Sequence, residues 1–457
     1  MDVLISPNDF VLGTMYAYKP HVTPISDLSK LLGDAVENGR SFLSPFITSS
    51  LKGKCRQSSY NFFVHTKSGY IVYNTLYNSL VRLQEDEYDM FSEPENCPED
   101  VLVTFVKNGL FINKLIDEKE SYLLLSDILT RHISGKLNLT ITTTLKCNAH
   151  CPYCYERGVK KVDMFPGAAD KILRFVLNQE NHDKVDLTWF GGEPLLNTAL
   201  IDEVCAGLSA SGIEFSSFLI TNGSLFDDSI FEKMISDWHL ENVQVSLDGT
   251  SDIYNRVKSL SGTKADFYSI LYSIRQLAKS KIHVGIRLNI SRSNFDDILK
   301  LVSELDYVFS SESYVSYYPA FVVGTNDSFL PEEKTLCLKK LLSAVTDSRK
   351  ITAETRFYSL PRTHSCHNSN PSSFSIDVFG NVFSCEHHVG REEKALASLE
   401  NYSANNDPRL EPMELHPKCS ECLFLPKCFG GCAANREVHN DPCQLEKYLI
   451  PAYMELL

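Results

Sequence analysis

The sequence predicts an α/β fold, in which a partial, TIM-like (β/α)6 barrel lies between an N-terminal winged-helix-like α+β module and a cysteine-rich C-terminal region. Six strand-like segments alternate with helical stretches over residues 136–325, and such repeats form parallel sheets with right-handed crossovers. Six units are too few for a closed eight-unit barrel, so we expect a partial barrel with its chemistry at the carboxyl ends of the strands. An open Rossmann-like sheet is the alternative, but the glycine fingerprint after the first strand is absent.

The composition narrows the class of protein. At about 150 residues per domain, a chain of 457 residues has several domains. We predict them at residues 1–135, 136–345 and 346–457. The net charge of −14, from 44 basic and 58 acidic residues, lacks the basic footprint of a nucleic-acid-binding protein. The N-terminus has no secretory signal pattern, and no window reaches the roughly 18 apolar residues of a membrane span. We therefore expect a cytoplasmic protein that binds neither nucleic acid nor membrane, with reduced thiols available for metal binding or catalysis.

The N-terminal module is predicted from short elements. Residues 59–75 read as two strands around the turn Lys67–Gly69. Residues 76–84 carry leucines at helical spacing, and a second helix is expected to begin at Pro98 and end at Gly109. Strands with short helices suggest a small binding module, and the alternative is an extension that only packs on the next domain.

The barrel elements follow one another regularly. The strand segments are rich in β-branched and aromatic residues, which favour strands, and the helical stretches have apolar residues at helical spacing. The strand segments are 137–145, 185–192, 215–223, 242–249, 283–290 and 314–323. The helical stretches include 167–178, 228–238, 267–279 and 294–305.

Three cysteines follow the first barrel strand, at Cys147, Cys151 and Cys154. A tetrahedral zinc site needs four ligands, and His150, which lies between two of the cysteines, would be a strained fourth. Three thiolates on a four-iron cluster instead leave one iron without a protein ligand. That iron could bind a substrate or cofactor. We therefore favour an iron–sulfur cluster, with structural zinc as the alternative.

Together with motifs at the later strand ends, these cysteines resemble those of the radical S-adenosylmethionine (SAM) superfamily. An aromatic residue precedes the third cysteine, a Gly-Gly-Glu-Pro element ends the second strand, and a Ser-x-Asp-Gly element ends the fourth. Thr-Asn-Gly ends the third strand, and an arginine lies in the fifth. The resemblance assigns SAM contacts to Tyr153, Gly191, Gly192, Glu193, Pro194, Asn222, Ser246, Asp248 and Arg287.

The resemblance also implies the chemistry. SAM would chelate the open iron of the cluster, and the reduced cluster would pass one electron to its sulfonium. The products would be methionine and a 5′-deoxyadenosyl radical, which abstracts a hydrogen from an unactivated carbon. The cofactor carries the difficult step, while the protein orients it and excludes water. An external one-electron reductant, such as flavodoxin or ferredoxin, would supply the electron.

Seven further cysteines lie in the C-terminal region, and their spacing resembles the SPASM domain of some radical SAM enzymes. Such a domain holds two auxiliary four-iron clusters, so the resemblance implies three clusters in all. By the family pattern, one auxiliary site takes Cys419, Cys422, Cys428 and Cys443. The other takes Cys366, Cys385 and Cys432. A zinc ribbon is the competing interpretation of this region.

The second of these auxiliary sites is one ligand short. The fourth coordination position could stay open or be filled by His364 or a substrate thiol. The alternative is that Cys337 or another residue completes the site. Glu386 directly follows the ligand Cys385, where sulfatase-maturing relatives place a catalytic aspartate. We therefore regard Glu386 as a candidate base, with a solvated acid beside the cluster as the alternative.

The resemblance suggests that the substrate is a peptide. Residues 59–115 lie where peptide-maturing relatives carry a domain that recognises a leader peptide, often as an added strand. We expect a maturase that installs a thioether or carbon–carbon crosslink, or a related C–H modification, in a ribosomally made precursor peptide. The alternatives are an anaerobic sulfatase maturase that forms formylglycine and a non-catalytic iron–sulfur or zinc-ribbon protein.

Overall fold

The computed structural model describes most of the chain in eleven stretches. These are residues 1–6, 50–132, 135–154, 156–180, 182–345, 351, 361–362, 367–410, 415–439, 443 and 445–457. Two residues named above, Cys366 and His364, lie outside them. In the described part, no helix has the length and apolar character needed to span a membrane.

The secondary structure comprises three sheets and the helices around them. The strands are β1 (Asp2–Ile5), β2 (Cys55–Gln57), β3 (Asn61–Thr66), β4 (Gly69–Asn74), β5 (Ser79–Leu83), β6 (Phe111–Asn113), β7 (Lys136–Thr144), β8 (Lys184–Gly191), β9 (Glu214–Thr221), β10 (Leu240–Leu247), β11 (His283–Ile290), β12 (Val315–Phe321), β13 (Ser373–Ile376), β14 (Asn381–Phe383) and β15 (Ala397–Ser398). The helices are α1 (Glu85–Ser92), α2 (Glu99–Lys107), α3 (Glu118–His132), α4 (Ala168–Leu177), α5 (Thr198–Ala210), α6 (Asp228–Ser236), α7 (Ser251–Lys258), α8 (Phe267–Lys279), α9 (Phe295–Val308), α10 (Pro331–Ala344), α11 (Pro417–Ser420), α12 (Leu425–Cys428), α13 (Ala433–His439) and α14 (Glu446–Met454).

The central sheet confirms the predicted partial barrel. Strands β7 to β12 lie side by side in chain order and pair in parallel. Helices α4 to α9 connect them and pack their apolar sides on the sheet, with Ile172, Leu277 and Leu301 fully buried. All six strands therefore direct their carboxyl ends to the same side of the sheet.

The sheet also continues into the C-terminal region, which the sequence did not predict. Strand β13 pairs in parallel with β7, and β14 and β15 extend the sheet by antiparallel pairing. Cys385 lies two residues beyond the end of β14. The first barrel strand is thus flanked by β8 on one side and by the segment that carries this cysteine on the other.

The N-terminal module forms an antiparallel sheet in the order β1-β5-β4-β3, with β3 at an edge. Helix α2 confirms the predicted helix, and Gly109 lies just beyond it with a φ of +69°. The helix predicted over 76–84 is wrong, because residues 79–83 form β5. This strand is buried on both faces: Val81 packs into one core cluster and Leu80 into another. The resulting apolar run imitates helical spacing.

The N-terminal module packs against the C-terminal cysteine-rich region. Leu425 and Phe429 lie inside the main core of the module, and Phe424 packs on Phe62 with ring centroids 5.3 Å apart. The buried Lys427 ammonium donates to Asn78 Oδ1 at 2.8 Å. The module is therefore built onto the segment that carries the predicted auxiliary ligands.

This packing predicts that Leu425→Ala destabilises the N-terminal module. The substitution leaves a cavity under a fully buried side chain, and such changes cost about 2–5 kcal/mol. We expect a lower thermal midpoint together with faster proteolysis of the N-terminal module. The exposed Leu177 of α4 provides the matched control, since Leu177→Ala should leave both measurements unchanged. Equal protease resistance of Leu425→Ala and the unsubstituted chain would contradict this packing.

Candidate functional site

The candidate site is built around the loop that follows β7 and carries Cys147, Cys151 and Cys154. The backbone N–H of His150 donates to the Lys258 carbonyl at 2.7 Å, and the Ser261 N–H donates to the carbonyl of Asn148 at 2.8 Å. The end of α7 and the residues that follow it therefore hold the loop in place. The loop lies at the carboxyl ends of the strands, as predicted.

The three thiols of this loop lie close enough to influence one another. Burial is the main cause that raises the pKa of each, to about 11 for Cys147, and neighbouring thiols raise the pKa of Cys147 and Cys151 further. A bound cation or cluster would be needed to hold them as thiolates. Across the described ranges, no three Cys, His, Asp or Glu side chains converge on a point where one metal ion could bind.

Two glycines bring the end of β8 against the start of the cysteine loop. A Cβ at Gly191 would lie 2.2 Å from the Thr144 carbonyl oxygen, and one at Gly192 would lie 2.2 Å from that of Lys146. Gly191 also has a φ of +131°. The Glu193 N–H donates to the Lys146 carbonyl at 2.8 Å. Side chains at both glycines would therefore push the cysteine loop away from the sheet.

The Glu193 carboxylate joins the ends of β8 and β9. It is fully buried and accepts hydrogen bonds from the Thr221 hydroxyl at 2.8 Å, the Asn222 N–H at 2.8 Å and the Leu195 N–H at 3.2 Å. Burial raises its pKa, while these hydrogen bonds oppose the rise. Both oxygens already accept donors from the protein, so Glu193 fixes the geometry of this strand edge.

The Asn222 side chain connects this edge to the cysteine loop. Its amide nitrogen donates to Asn148 Oδ1 at 2.8 Å and lies 3.9 Å from the Cys147 sulfur. Its oxygen accepts from the Ser224 N–H at 2.9 Å. Pro194 begins the turn after Glu193 and is buried there. These predicted residues thus pack beside the loop.

A buried polar cluster lies on the other side of the loop. The Tyr153 hydroxyl donates to Asp248, and the Asn289 amide donates to the Tyr153 oxygen at 2.9 Å and to Asp248 at 3.1 Å. The Lys258 ammonium donates to Ser246 Oγ at 2.6 Å and forms an ion pair with Asp248 at 3.2 Å. The structure therefore brings the predicted residues Tyr153, Ser246 and Asp248 together. It adds Asn289 and Lys258, which the sequence did not indicate.

Lys258 and Arg287 have opposite environments. Lys258 is buried, which lowers its pKa, but Asp248 and the thiols of Cys151 and Cys147 raise the pKa above its ordinary value. Arg287 pairs in register with Ser246 across the sheet and is exposed. Its guanidinium donates to Asn289 Oδ1 at 3.1 Å and keeps further donors for a ligand.

A cavity of about 710 Å³ occupies the interior of the barrel. Closed barrels fill this space with bulky branched side chains. Here Phe190, Phe218 and Tyr318 face it together with small or polar side chains. The small or polar residues include Asn138, Thr140, Thr188, Ser216, Gly285 and Ser316. Glu386 also lines the cavity, although it lies far along the chain in the C-terminal region. The cavity is therefore open to a ligand of considerable size.

Four of the C-terminal cysteines lie together. Cys419, Cys422, Cys428 and Cys443 line one cavity of about 190 Å³. Cys385 is buried elsewhere, with its sulfur 3.7 Å from the Glu386 carboxylate. The predicted alternative ligand Cys337 lies on α10, packed in the barrel core.

Comparison with known proteins shows which family the barrel matches. The model of the Radical SAM superfamily matches residues 141–305. The radical SAM cyclopropyl synthase TigE of Paramaledivibacter caminithermalis is 23% identical over 453 residues, covering 84% of this chain and 89% of TigE. A cysteine-type anaerobic sulfatase-maturating enzyme of Clostridium novyi is 23% identical over 340 residues, covering 64% of this chain and 86% of that enzyme. The structure of Streptococcus suis SuiB bound to precursor peptide SuiA superposes with a TM-score of 0.50 at 16% identity, covering 85% of this chain and 98% of SuiB.

The glycine contacts predict that Gly192→Ala disrupts the cysteine loop. The new methyl group would displace the Lys146 backbone, and such overpacking costs about 1–3 kcal/mol. We expect less iron bound after anaerobic reconstitution and a lower thermal midpoint. Gly135→Ala is the control, because a Cβ there meets only Asp183, at an ordinary 3.4 Å. Full iron binding by Gly192→Ala would show that this close approach is not needed.

Proposed function

The chain is a radical SAM enzyme, and we propose that it modifies a residue of a ribosomally made precursor peptide. The modification would be a thioether or carbon–carbon crosslink or a related change at a C–H bond. The observation that carries this proposal is the N-terminal sheet, which packs on the C-terminal cysteine-rich region and in which β3 is an edge strand among the described residues. The match to TigE over 84% of this chain also supports this proposal.

Radical SAM enzymes use SAM and a four-iron cluster, and the cysteine loop fits such a group. Cys147, Cys151 and Cys154 would hold the cluster, and the unobstructed approach provided by Gly191 and Gly192 leaves the loop against the sheet. When bound, the cluster and SAM together supply a carbon-centred radical that removes a hydrogen atom from the substrate. We propose SAM contacts from Tyr153, Gly191, Gly192, Glu193, Pro194, Asn222, Ser246, Asp248 and Arg287. Of the ionic side chains among these, Arg287 is the exposed one and suits a carboxylate.

The barrel cavity would hold the segment of peptide that reacts. Its walls carry hydroxyl and amide groups that can bind a peptide backbone. Glu386 lines this cavity and would accept a proton from the residue being modified. This role is consistent with its position at the end of the extended sheet, next to Cys385.

Two auxiliary clusters would occupy the C-terminal region. Cys419, Cys422, Cys428 and Cys443 share one cavity, which supports a complete four-ligand site. Cys366, Cys385 and Cys432 would hold the other cluster, with an open position, His364 or a substrate thiol as its fourth ligand. The auxiliary clusters would accept the electron released on product formation or bind a substrate thiol.

The remaining partners follow from this assignment. A flavodoxin or ferredoxin would supply electrons, and we place the enzyme in the cytoplasm, where reduced thiols persist. We further propose the three domains 1–135, 136–345 and 346–457, with the leader peptide bound by residues 59–115. Strands β13–β15 lie in one sheet with the barrel strands. The boundary at residue 345 therefore divides the chain by proposed function rather than by packing.

The main experiment uses the anaerobically reconstituted full chain with SAM, dithionite and peptides encoded by short reading frames flanking its gene. We expect SAM cleavage to 5′-deoxyadenosine and a mass change in one of these peptides. A second candidate function, formylglycine formation, is favoured by the match to the sulfatase-maturating enzyme. A sulfatase peptide with a reactive cysteine or serine is therefore offered in parallel. Oxidation of that peptide alone would replace the first proposal with the second.

Leader recognition by β3 predicts a specific effect of His65→Pro. The turn pairs Thr66 with Gly69, so the His65 N–H points away from β4, where an added strand would use it. Proline removes this N–H while remaining tolerable on an edge strand. We expect peptide affinity to fall about tenfold, since a lost hydrogen bond costs about 1 kcal/mol and proline also obstructs pairing, measured by fluorescence anisotropy of a labelled peptide.

The control for this prediction is His65→Ala. It removes the same imidazole, including its contact with Glu85 at 3.2 Å, but keeps the backbone N–H. Unchanged affinity in His65→Ala together with weaker binding in His65→Pro assigns the effect to the strand edge. Deletion of the whole module is less informative, because it would expose Leu425 and Phe429.

The assignment of Glu386 predicts that Glu386→Gln separates SAM cleavage from product formation. A general base contributes about 10²–10⁴-fold to a rate, so modified peptide should form at least 100-fold more slowly while 5′-deoxyadenosine still accumulates. Glu392→Gln changes an exposed acid nearby and should have no effect. Normal yields of modified peptide from Glu386→Gln would remove this residue from the mechanism.

A further inference from the structure

Lys258 is a buried cation that the proposed function leaves without a role. Only 2% of its surface is exposed. Its ammonium group donates to Ser246 Oγ at 2.6 Å, pairs with Asp248 at 3.2 Å and lies 3.5 Å from the Tyr153 hydroxyl. Oxygen atoms of the protein thus already surround the ammonium, although its contact with Asp248 Oδ2 is an ion pair and not a hydrogen bond. Lys258 is therefore poorly placed to bind SAM or substrate.

The backbone of Lys258 is attached to the cysteine loop. Its carbonyl accepts from the His150 N–H at 2.7 Å, directly before Cys151. The side chain and the backbone of one residue thus connect the loop to the buried cluster of Ser246 and Asp248. Lys258 is the last residue of α7, where a lysine is ordinarily solvated at the helix end, and its burial here calls for an explanation.

The Lys258 ammonium lies beside the cysteine loop. It is 3.5 Å from the hydroxyl of Tyr153, the residue directly before Cys154. Because both the ammonium and the backbone carbonyl of Lys258 contact this loop, the positive charge is held close to the cysteines that would bind the cluster.

We propose that Lys258 raises the reduction potential of the iron–sulfur cluster held by Cys147, Cys151 and Cys154, acting as a positioning and electrostatic residue. This inference rests on the proposed cluster ligands. One-electron reduction adds a negative charge to the cluster, and net charge and burial are among the factors that set cluster potentials. A buried cation held beside the cysteine loop stabilises the added negative charge. The same burial keeps this cation from binding SAM or substrate. In effect, the electron from the external donor is accepted more readily.

The test is a redox titration of the reconstituted full chain with dithionite, followed by electron paramagnetic resonance. The signal of interest is the one that changes when SAM is added to the unsubstituted chain, which separates it from the auxiliary clusters. Its potential is then compared in all variants without SAM, because Ser246 and Asp248 are themselves proposed SAM contacts. In Lys258→Met the ratio of reduced to oxidised cluster at a fixed solution potential should fall on the order of tenfold, as expected for one charge within about 10 Å at an effective dielectric constant near 20. For a one-electron couple a tenfold change corresponds to about 59 mV.

Three further variants identify charge as the cause. Lys258→Arg keeps the charge and should retain the potential. Asp248→Asn removes the opposing charge and should raise the potential, in the opposite direction to Lys258→Met. Ser246→Ala removes a hydrogen bond to Lys258 without changing any charge and should leave the potential unchanged. A purely structural role would not produce shifts of opposite sign.

Each result decides between distinct claims. If the unsubstituted chain gives no SAM-sensitive signal, the proposed cluster site fails and the inference fails with it. If that signal is present but Lys258→Met and Asp248→Asn shift the potential in the same direction, or not at all, the inference about Lys258 is wrong while the cluster stands. Should Lys258→Met fail to bind iron, Asp248→Asn alone decides, because an unchanged or lower potential there overturns the inference.

Discussion

The close approach of the Gly191–Gly192 backbone to the end of β7 is the constraint on which the site depends. It allows the chain after β8 to run directly against the residues that precede Cys147. The Glu193 carboxylate then joins β8 to β9, and the Lys258 carbonyl holds the middle of the loop. The cysteine loop is consequently fixed from both sides at the carboxyl edge of the sheet before any cofactor binds.

The C-terminal region brings the other parts of the molecule to this edge. Strand β13 pairs directly with β7, the strand that leads into the cysteine loop. The same region supplies Glu386 to the barrel cavity and Leu425 to the core of the N-terminal module. A peptide held on the N-terminal sheet and a reacting residue held in the barrel would thus be positioned by one continuous C-terminal segment. This connectivity gives the proposed peptide-modifying function a structural basis.

Much of the fold was predictable because its signals are local. The six barrel strands follow from repeated apolar segments, and the cysteine loop follows from the spacing of Cys147, Cys151 and Cys154. Strand β5 was not predictable, since burial on both faces removes the alternation that marks a strand. The pairing of β13 with β7 joins residues more than 200 positions apart, and no local pattern encodes it. Lys258 was missed for a related reason: only the folded barrel shows that this helix-terminal lysine faces Asp248 rather than solvent.

The central claim is that hydrogen leaves a peptide residue for the radical generated at the cysteine loop. It is tested most directly by supplying a peptide deuterated at its carbon-bound positions and measuring the isotopic content of the 5′-deoxyadenosine formed. Transfer from the peptide predicts deuterium in 5′-deoxyadenosine in proportion to modified peptide. Modified peptide accompanied by 5′-deoxyadenosine without deuterium would contradict the claim.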